Sequence, residues 1–185
     1  MLYTRKGDKG DTSAFGCNQR FSKNSALAEA LGSVDEINSL LGVCKTKSGK
    51  IKIKINKENI FLSEIIEQIQ QHLFIVQANL AGADKKITKE KIEFLENIIN
   101  EIEKNLPPIK SFFIPGGTEL SALFDYARAV SRRTERRVVA FSESGKAKTS
   151  PEILAYLNRL SSFLYAAARM ANLSAGVKDG APSYQ

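Results

Sequence analysis

Histidine occurs once in the 185 residues and cysteine twice. That scarcity removes whole classes of chemistry. A ferritin-like di-iron bundle needs two Glu-x-x-His motifs, and His72 is alone. A zinc site of the usual kind needs several Cys or His ligands. Cys17 and Cys44 show no C-x-x-C spacing, which fits a reducing compartment. Long apolar runs are also missing. The longest, "FLYAAA" from Phe163 to Ala168, is far short of a membrane span. The N-terminus carries Arg5 and Lys6 and no apolar signal core. The chain therefore reads as unprocessed and cytoplasmic, with no membrane partner. No internal repeat recurs at a fixed period.

What is present is basic and helical. The net charge is +7, which suits an anionic ligand. Much of it lies in "KTKSGKIKIKINK", Lys45 to Lys57. That stretch reads as a solvated linker between helices rather than a nucleic-acid contact, because no aromatic residue interrupts it for base stacking. The length fits one compact domain.

Ser22 is the expected N-cap of a first helix. Leu27, Leu31, Val34, Ile37 and Leu41 then recur at helical steps. A second helix carries Leu62, Ile65, Ile66, Ile69, Leu73, Val76 and Leu80, with His72 as a packing or surface residue. A third starts near Thr88, carries Ile92, Leu95, Ile99 and Ile102, and stops at "LPPIK". The fourth is expected over Glu119 to Phe141 and the fifth over Glu152 to Ala175, with Pro151 suited to a first turn. "KIKIKI" alternates like a strand but has no obvious partner. The expectation is an all-α bundle of five helices. Residues 1–21 form an N-terminal loop, 22–175 the bundle and 176–185 a loose tail.

Four polar features stand out. In "RAVSRRTERR", Arg128, Arg132 and Glu135 stack on one side of the fourth helix, with Arg133, Arg136 and Arg137 adding charge. Composition alone leaves two readings open. One is a solvated face with weak ion pairs; the other is an arginine clamp for phosphate. On the first helix Asp35 and Asn38 share a side flanked by Gly32 and Gly42. On the fifth, Asn158, Ser161 or Ser162, and Tyr165 form a polar strip, and a buried Asn158 would need partners. The opening "YTRKGDKGDTSAFG" is a phosphate-cradle composition, since Gly-rich turns expose successive N–H groups. Walker A and Rossmann patterns are both absent, so an ATP site here would be non-standard.

Four blocks occur in order: "YTRKGDKGDTS", "SKNSALAEALGSVDEINSLLG", "FFIPGGTELSALFDYARAVSRRTERRVV" and "YLNRLSSFLYAAAR". Together they resemble the ATP:cob(I)alamin adenosyltransferases of the propanediol-utilisation type, from Tyr3 to about Ala175. The resemblance implies a five-helix bundle assembling as a homotrimer, with active sites between subunits. It implies transfer of the 5′-deoxyadenosyl group of ATP to the cobalt of reduced cobalamin, with Mg²⁺ assisting and triphosphate leaving. It also implies a reductase and an adenosylcobalamin-dependent client enzyme as partners, and no nucleic acid.

By the same resemblance, Thr4, Arg5, Lys6, Gly7, Thr12, Ser13 and the phosphate-binding Lys23 hold ATP. So do Arg132, Arg133, Thr134, Glu135 and Arg136 on the fourth helix, and Asn158 on the fifth. Asp35 and Arg128 match an intersubunit salt bridge near the corrin, and Phe112 matches the aromatic closing its lower face. Arg128, Arg132 and Glu135 are the implied catalytic set, with Glu135 also a candidate for helping to hold Mg²⁺. Cob(I)alamin is itself the nucleophile, so no protein Ser, Cys or His is needed for attack. Phe112 offers cobalt no donor, which suits displacement of the lower ligand. Three departures are visible: Lys6 where threonine is common, Asp125 and Tyr126 where the family often has His-Leu, and the lysine-rich linker. Two other functions would use similar features. One is a binding module that carries corrinoid without turnover. The other is a helical nucleic-acid-binding protein resting on charge.

Overall fold

The computed structural model describes residues 3–14, 19–55, 58–145 and 149–184. Cys17, the last two residues of the opening loop, Phe15 and Gly16, and the linker residues Asn56 and Lys57 lie outside the described residues. Five helices carry the chain: α1 (Ala26–Lys47), α2 (Leu62–Leu80), α3 (Lys89–Glu103), α4 (Glu119–Glu143) and α5 (Pro151–Ser174). Two small antiparallel strand pairs accompany them among the described residues, β1 (Asp11–Ser13) with β2 (Arg20–Ser22) ahead of α1, and β3 (Lys52–Ile55) with β4 (Glu58–Phe61) between α1 and α2.

The helices start where hydroxyl side chains can satisfy open backbone N–H groups. Ser25 Oγ accepts from Ala28 N–H at 3.2 Å. The expected cap, Ser22, is instead the last residue of β2, paired with Asp11. The chain needs one more turn, closed by Ser25 N–H on the Ser22 carbonyl, before α1 begins. Thr118 Oγ1 caps α4 by accepting from Ser121 N–H at 3.1 Å. Ser150 caps α5 ahead of Pro151.

The apolar stripes meet as their spacing predicts. Val34, Ile37, Leu41, Ile66, Ile69, Leu73, Leu95, Phe124, Val138, Leu157 and Leu164 are all buried. On α3 the buried set is Leu95, Ile98 and Ile102, while Ile92 and Ile99 are half-buried. In the bundle α4 packs against α1 and α5, with α2 beyond α1 and α3 beyond α5. Each fully buried Leu or Ile contributes about 1.5–3 kcal/mol, so this face holds the bundle. His72 is buried in it, with Nδ1 3.1 Å from the Tyr156 hydroxyl and Phe94 edge-on to its ring.

The lysine-rich linker corrects an expectation. "KIKIKI" does have a partner: Ile53 faces Ile60 and Lys54 faces Asn59 across the β3–β4 hairpin. Ile53 is buried while Lys52 and Lys54 are exposed, the period-two pattern of a half-buried strand. The partner was hidden because "ENIF" runs directly into α2. The stretch is thus a hairpin lying on α3, not a wholly solvated linker. Among the described residues, no helix is long and apolar enough to cross a membrane.

Candidate active site

The arginine run of α4 divides into two groups by direction. Arg133 donates from Nη2 to Glu36 Oε1 of α1 at 2.6 Å, and Arg137 Nε lies 3.1 Å from Glu29 Oε1. These two tie α4 to α1. Thr134, expected among the ATP contacts, is fully buried, and its hydroxyl donates to the Ser33 carbonyl at 2.9 Å. Its side chain faces the core, because one residue along a helix turns the side chain about 100°. Arg132 and Arg136 are exposed and have no ion pair among the described residues.

Glu135 faces the same open side as Arg132. Its Oε1 accepts from Asn158 Nδ2 at 3.2 Å. Asn158 Oδ1 accepts from Arg159 Nη1 at 2.9 Å, and Arg159 Nε donates to Glu96 Oε1 at 2.8 Å. Asn158 is exposed rather than buried, so it links α4 and α5 at the rim and keeps its face open.

Two clefts meet on this side. The larger, about 810 Å³, lies between α4, α5 and the segment before α4; Phe112, Asp125, Arg128, Arg132 and Tyr165 line it. The smaller, about 290 Å³, is lined by Arg132, Glu135, Arg136 and Glu143 among others. Arg132 belongs to both walls. Phe112 is 80% exposed, an apolar surface facing water at the cleft. Arg128 Nε is 3.5 Å from Asp125 Oδ1 but is buried and makes no hydrogen bond among the described residues. Asp125 Oδ2 accepts from Gly116 N–H at 3.3 Å. Burial raises the Tyr165 phenol pKa.

The segment before α4 is held by residues that sequence reasoning passed over. Asn172 Oδ1 accepts from Thr118 N–H at 3.1 Å, and its Nδ2 donates to the Gly116 carbonyl at 2.8 Å. Gly117 has φ +112°, and a methyl group there would sit 2.7 Å from Asn172 Oδ1. The only advance signal was a Gly-Gly pair ahead of a helix cap.

The N-terminal loop folds on itself. Arg5 has φ +56°, and Asp8 N–H closes the turn on its carbonyl at 3.3 Å. Lys23 Nζ donates to the Gly7 carbonyl at 2.9 Å. Thr12 pairs with Phe21 and Ser13 with Arg20 in the hairpin, while Thr4 Oγ1 accepts from Lys6 N–H at 3.4 Å. Arg20 was missed, yet it clamps the loop. Its Nε reaches Asp11 Oδ2 at 2.6 Å and its Nη2 the Lys6 carbonyl at 2.6 Å. The Arg20 hydrogen bond holds the Asp11 carboxyl below the usual range. "QRFSK", with two cations three residues apart, was the available signal. No hydrogen bond or ion pair among the described residues joins this loop to the α4 arginines. Asp35 is exposed on α1, without an ion pair among the described residues.

A family model described as cobalamin adenosyltransferase matches residues 2–171. The chain belongs to that family. It is 37% identical over 183 residues to a corrinoid adenosyltransferase of Bacillus subtilis, covering 96% of this chain and 90% of that one. It is 35% identical over 175 residues to the corrinoid adenosyltransferase PduO of Citrobacter freundii, covering 91% of this chain and 49% of that one. Its fold matches a variant PduO-type ATP:corrinoid adenosyltransferase from Lactobacillus reuteri, solved with cobalamin and ATP. The TM-score is 0.86 at 32% identity, with 100% of this chain and 97% of that one covered. This family membership agrees with the resemblance carried by the four sequence blocks, and the five helices agree with the bundle expected.

Proposed function

We propose that this cobalamin adenosyltransferase moves the 5′-deoxyadenosyl group of ATP onto the cobalt of cob(I)alamin. The Co(I) electron pair forms the Co–C5′ bond, the C5′–O bond breaks, and triphosphate leaves with the electron pair of that broken bond. The observation that carries the reading is Arg132, which lines both clefts. A guanidinium there adjoins the large cleft suited to a corrinoid and the small cleft, where Arg132 and Arg136 can meet phosphates beside Glu135 and Glu143.

The protein's part is positioning and charge stabilisation. Arg132 and Arg136 meet the charge growing on the triphosphate, and Asn158 holds Glu135 in place beside them. The loop of Thr4, Arg5, Lys6, Gly7, Thr12 and Ser13, clamped by Arg20 and with Lys23 against it, closes over ATP. Arg133 and Thr134 act from behind, by fixing α4 on α1. Phe112 gives cobalamin an apolar wall with no donor for cobalt. Among the described residues no group of three or more His, Cys, Asp or Glu is placed to hold a metal ion. Mg²⁺ would then ride chiefly on the phosphates, with Glu135 the carboxylate nearest the arginine stripe in sequence.

Among the described residues the loop and the stripe are unconnected within one chain, and Arg128 Nε, ion-paired with Asp125, makes no hydrogen bond. Both facts support assembly as a homotrimer in which a neighbour's loop covers the stripe and its Asp35 meets Arg128. The reaction further calls for a reductase to supply Co(I) and a client enzyme to take adenosylcobalamin, in the cytoplasm. The test is the visible spectrum during anaerobic incubation of cob(I)alamin with Mg-ATP. Conversion to adenosylcobalamin is expected, and no spectral change at saturating protein would sink the reading.

A further inference from the structure

The segment after α5 reaches back to the loop that carries Phe112. Asp179 Oδ2 accepts from Arg169 Nε at 3.0 Å, and its Oδ1 accepts from Asn172 Nδ2 at 3.0 Å. Arg169 Nη2 donates to the Pro107 carbonyl at 2.8 Å, and its guanidinium lies 4.8 Å from the Phe113 ring centre. One residue beyond Asp179, the Gly180 carbonyl accepts from Ile114 N–H at 2.8 Å. Arg169 is only 5% exposed and Asn172 4%. A charge that deep needs a counter-charge, and Asp179 is the carboxylate that supplies it.

These bonds pin the 107–118 segment at Pro107, Ile114, Gly116 and Thr118. Between Pro107 and Ile114 the described residues make no backbone hydrogen bond. The placement of Phe112 therefore depends on the pins at either side. Asp179 lies past residue 171, where the family match ends.

We propose that the segment after α5 is a latch for the corrinoid wall, with Asp179 as a positioning residue. It neutralises Arg169, orients Asn172, and so holds the Phe112 loop in the form that lines the large cleft. The corrinoid consequence rests on the adenosyltransferase reading; the mechanical one does not.

The experiment compares the full chain with Asp179→Ala and with the isosteric Asp179→Asn. Amide hydrogen exchange is followed residue by residue, alongside KM for cob(I)alamin and for ATP. In Asp179→Ala, protection at Ile114 and Thr118 should fall about tenfold, as expected when a charged hydrogen-bond partner is lost locally. Amides inside α1 and α4 should keep their rates. KM for cob(I)alamin should rise about fivefold or more while KM for ATP stays within about twofold. Asp179→Asn, which retains one acceptor, should fall between. The latch is wrong if Ile114 and Thr118 exchange as in the parent, if protection drops evenly along α5, or if both KM values rise together. Should Asp179→Ala fail to fold, Asp179→Asn decides by the same criteria. If the parent makes no adenosylcobalamin, the functional reading fails alone, and the exchange pattern still decides the latch.

Discussion

Arg128 and Asp125 sit one turn apart on α4, Nε 3.5 Å from Oδ1, and no hydrogen bond joins them at that atom. A buried N–H left unmade costs about 1–3 kcal/mol, and the side chain, 31% exposed, can still offer the rest of its guanidinium to a second carboxylate. In the proposed trimer that group is Asp35. Asp35→Asn should weaken cob(I)alamin handling while ATP affinity stays near the parent's. Assembly stability should drop by ~3–5 kcal/mol if the intersubunit pair is buried. Sedimentation together with separate ATP and corrinoid titrations would check this. A double-mutant cycle with Arg128→Gln should then give non-additive effects; additivity would remove the pair.

Arg132 and Arg133 are neighbours with opposite duties. Arg132→Ala should lower kcat/KM by about 10²–10³, the usual loss when one donor to developing charge is deleted. Its far-UV circular dichroism should stay unchanged. Arg133→Ala breaks a half-exposed pair with Glu36, so it should cost at most about 1 kcal/mol of stability and about threefold in activity. Equal loss of activity in both variants would mean that α4 does not divide as its ion pairs suggest.

Arg20 tests the loop. Arg20→Met removes the bonds to Asp11 and to the Lys6 carbonyl without touching α4. KM for ATP should rise about tenfold, while KM for cob(I)alamin stays flat. A change confined to the corrinoid would contradict a lid role.

His72 sets an acid limit on stability. Burial, with Lys91 nearby, pushes its pKa down from 6.5 to about 4. The neutral ring is therefore the folded form, and the unfolded chain takes up a proton first as pH falls. Its contribution is fully present above pH 6.5 and declines between 6.5 and about 4. The total is on the order of 3 kcal/mol. Urea midpoints measured at pH 7 and pH 4.5 should fall further in the parent than in His72→Gln. Parallel curves would assign the loss to carboxylates elsewhere.

The helices were legible because their Leu, Ile and Val residues recur every three or four positions, and burial follows that period. β4 was not, since "ENIF" carries no alternation of its own and continues into α2. On α4 the positions of the arginines were legible but not their partners. Arg132 and Arg133 look alike in sequence, and only the packing of α1 gives one of them Glu36. The Asn172 anchor was invisible for a related reason: its partner Thr118 lies 54 residues earlier, so no local pattern betrays it. Asp179 sat in a tail expected to be loose, where an Asp beside a Gly reads as ordinary turn chemistry.

The crowding at Gly117 has a consequence for inherited variation in this chain. Two unrelated barriers coincide there: a backbone angle that side chains resist, and a buried amide 2.7 Å from where any β-carbon would stand. A saturation scan should therefore score every replacement at 117 as harmful, alanine and serine included, although the residue itself is exposed and belongs to no helix. Surface position would mislead anyone ranking variants by depth alone.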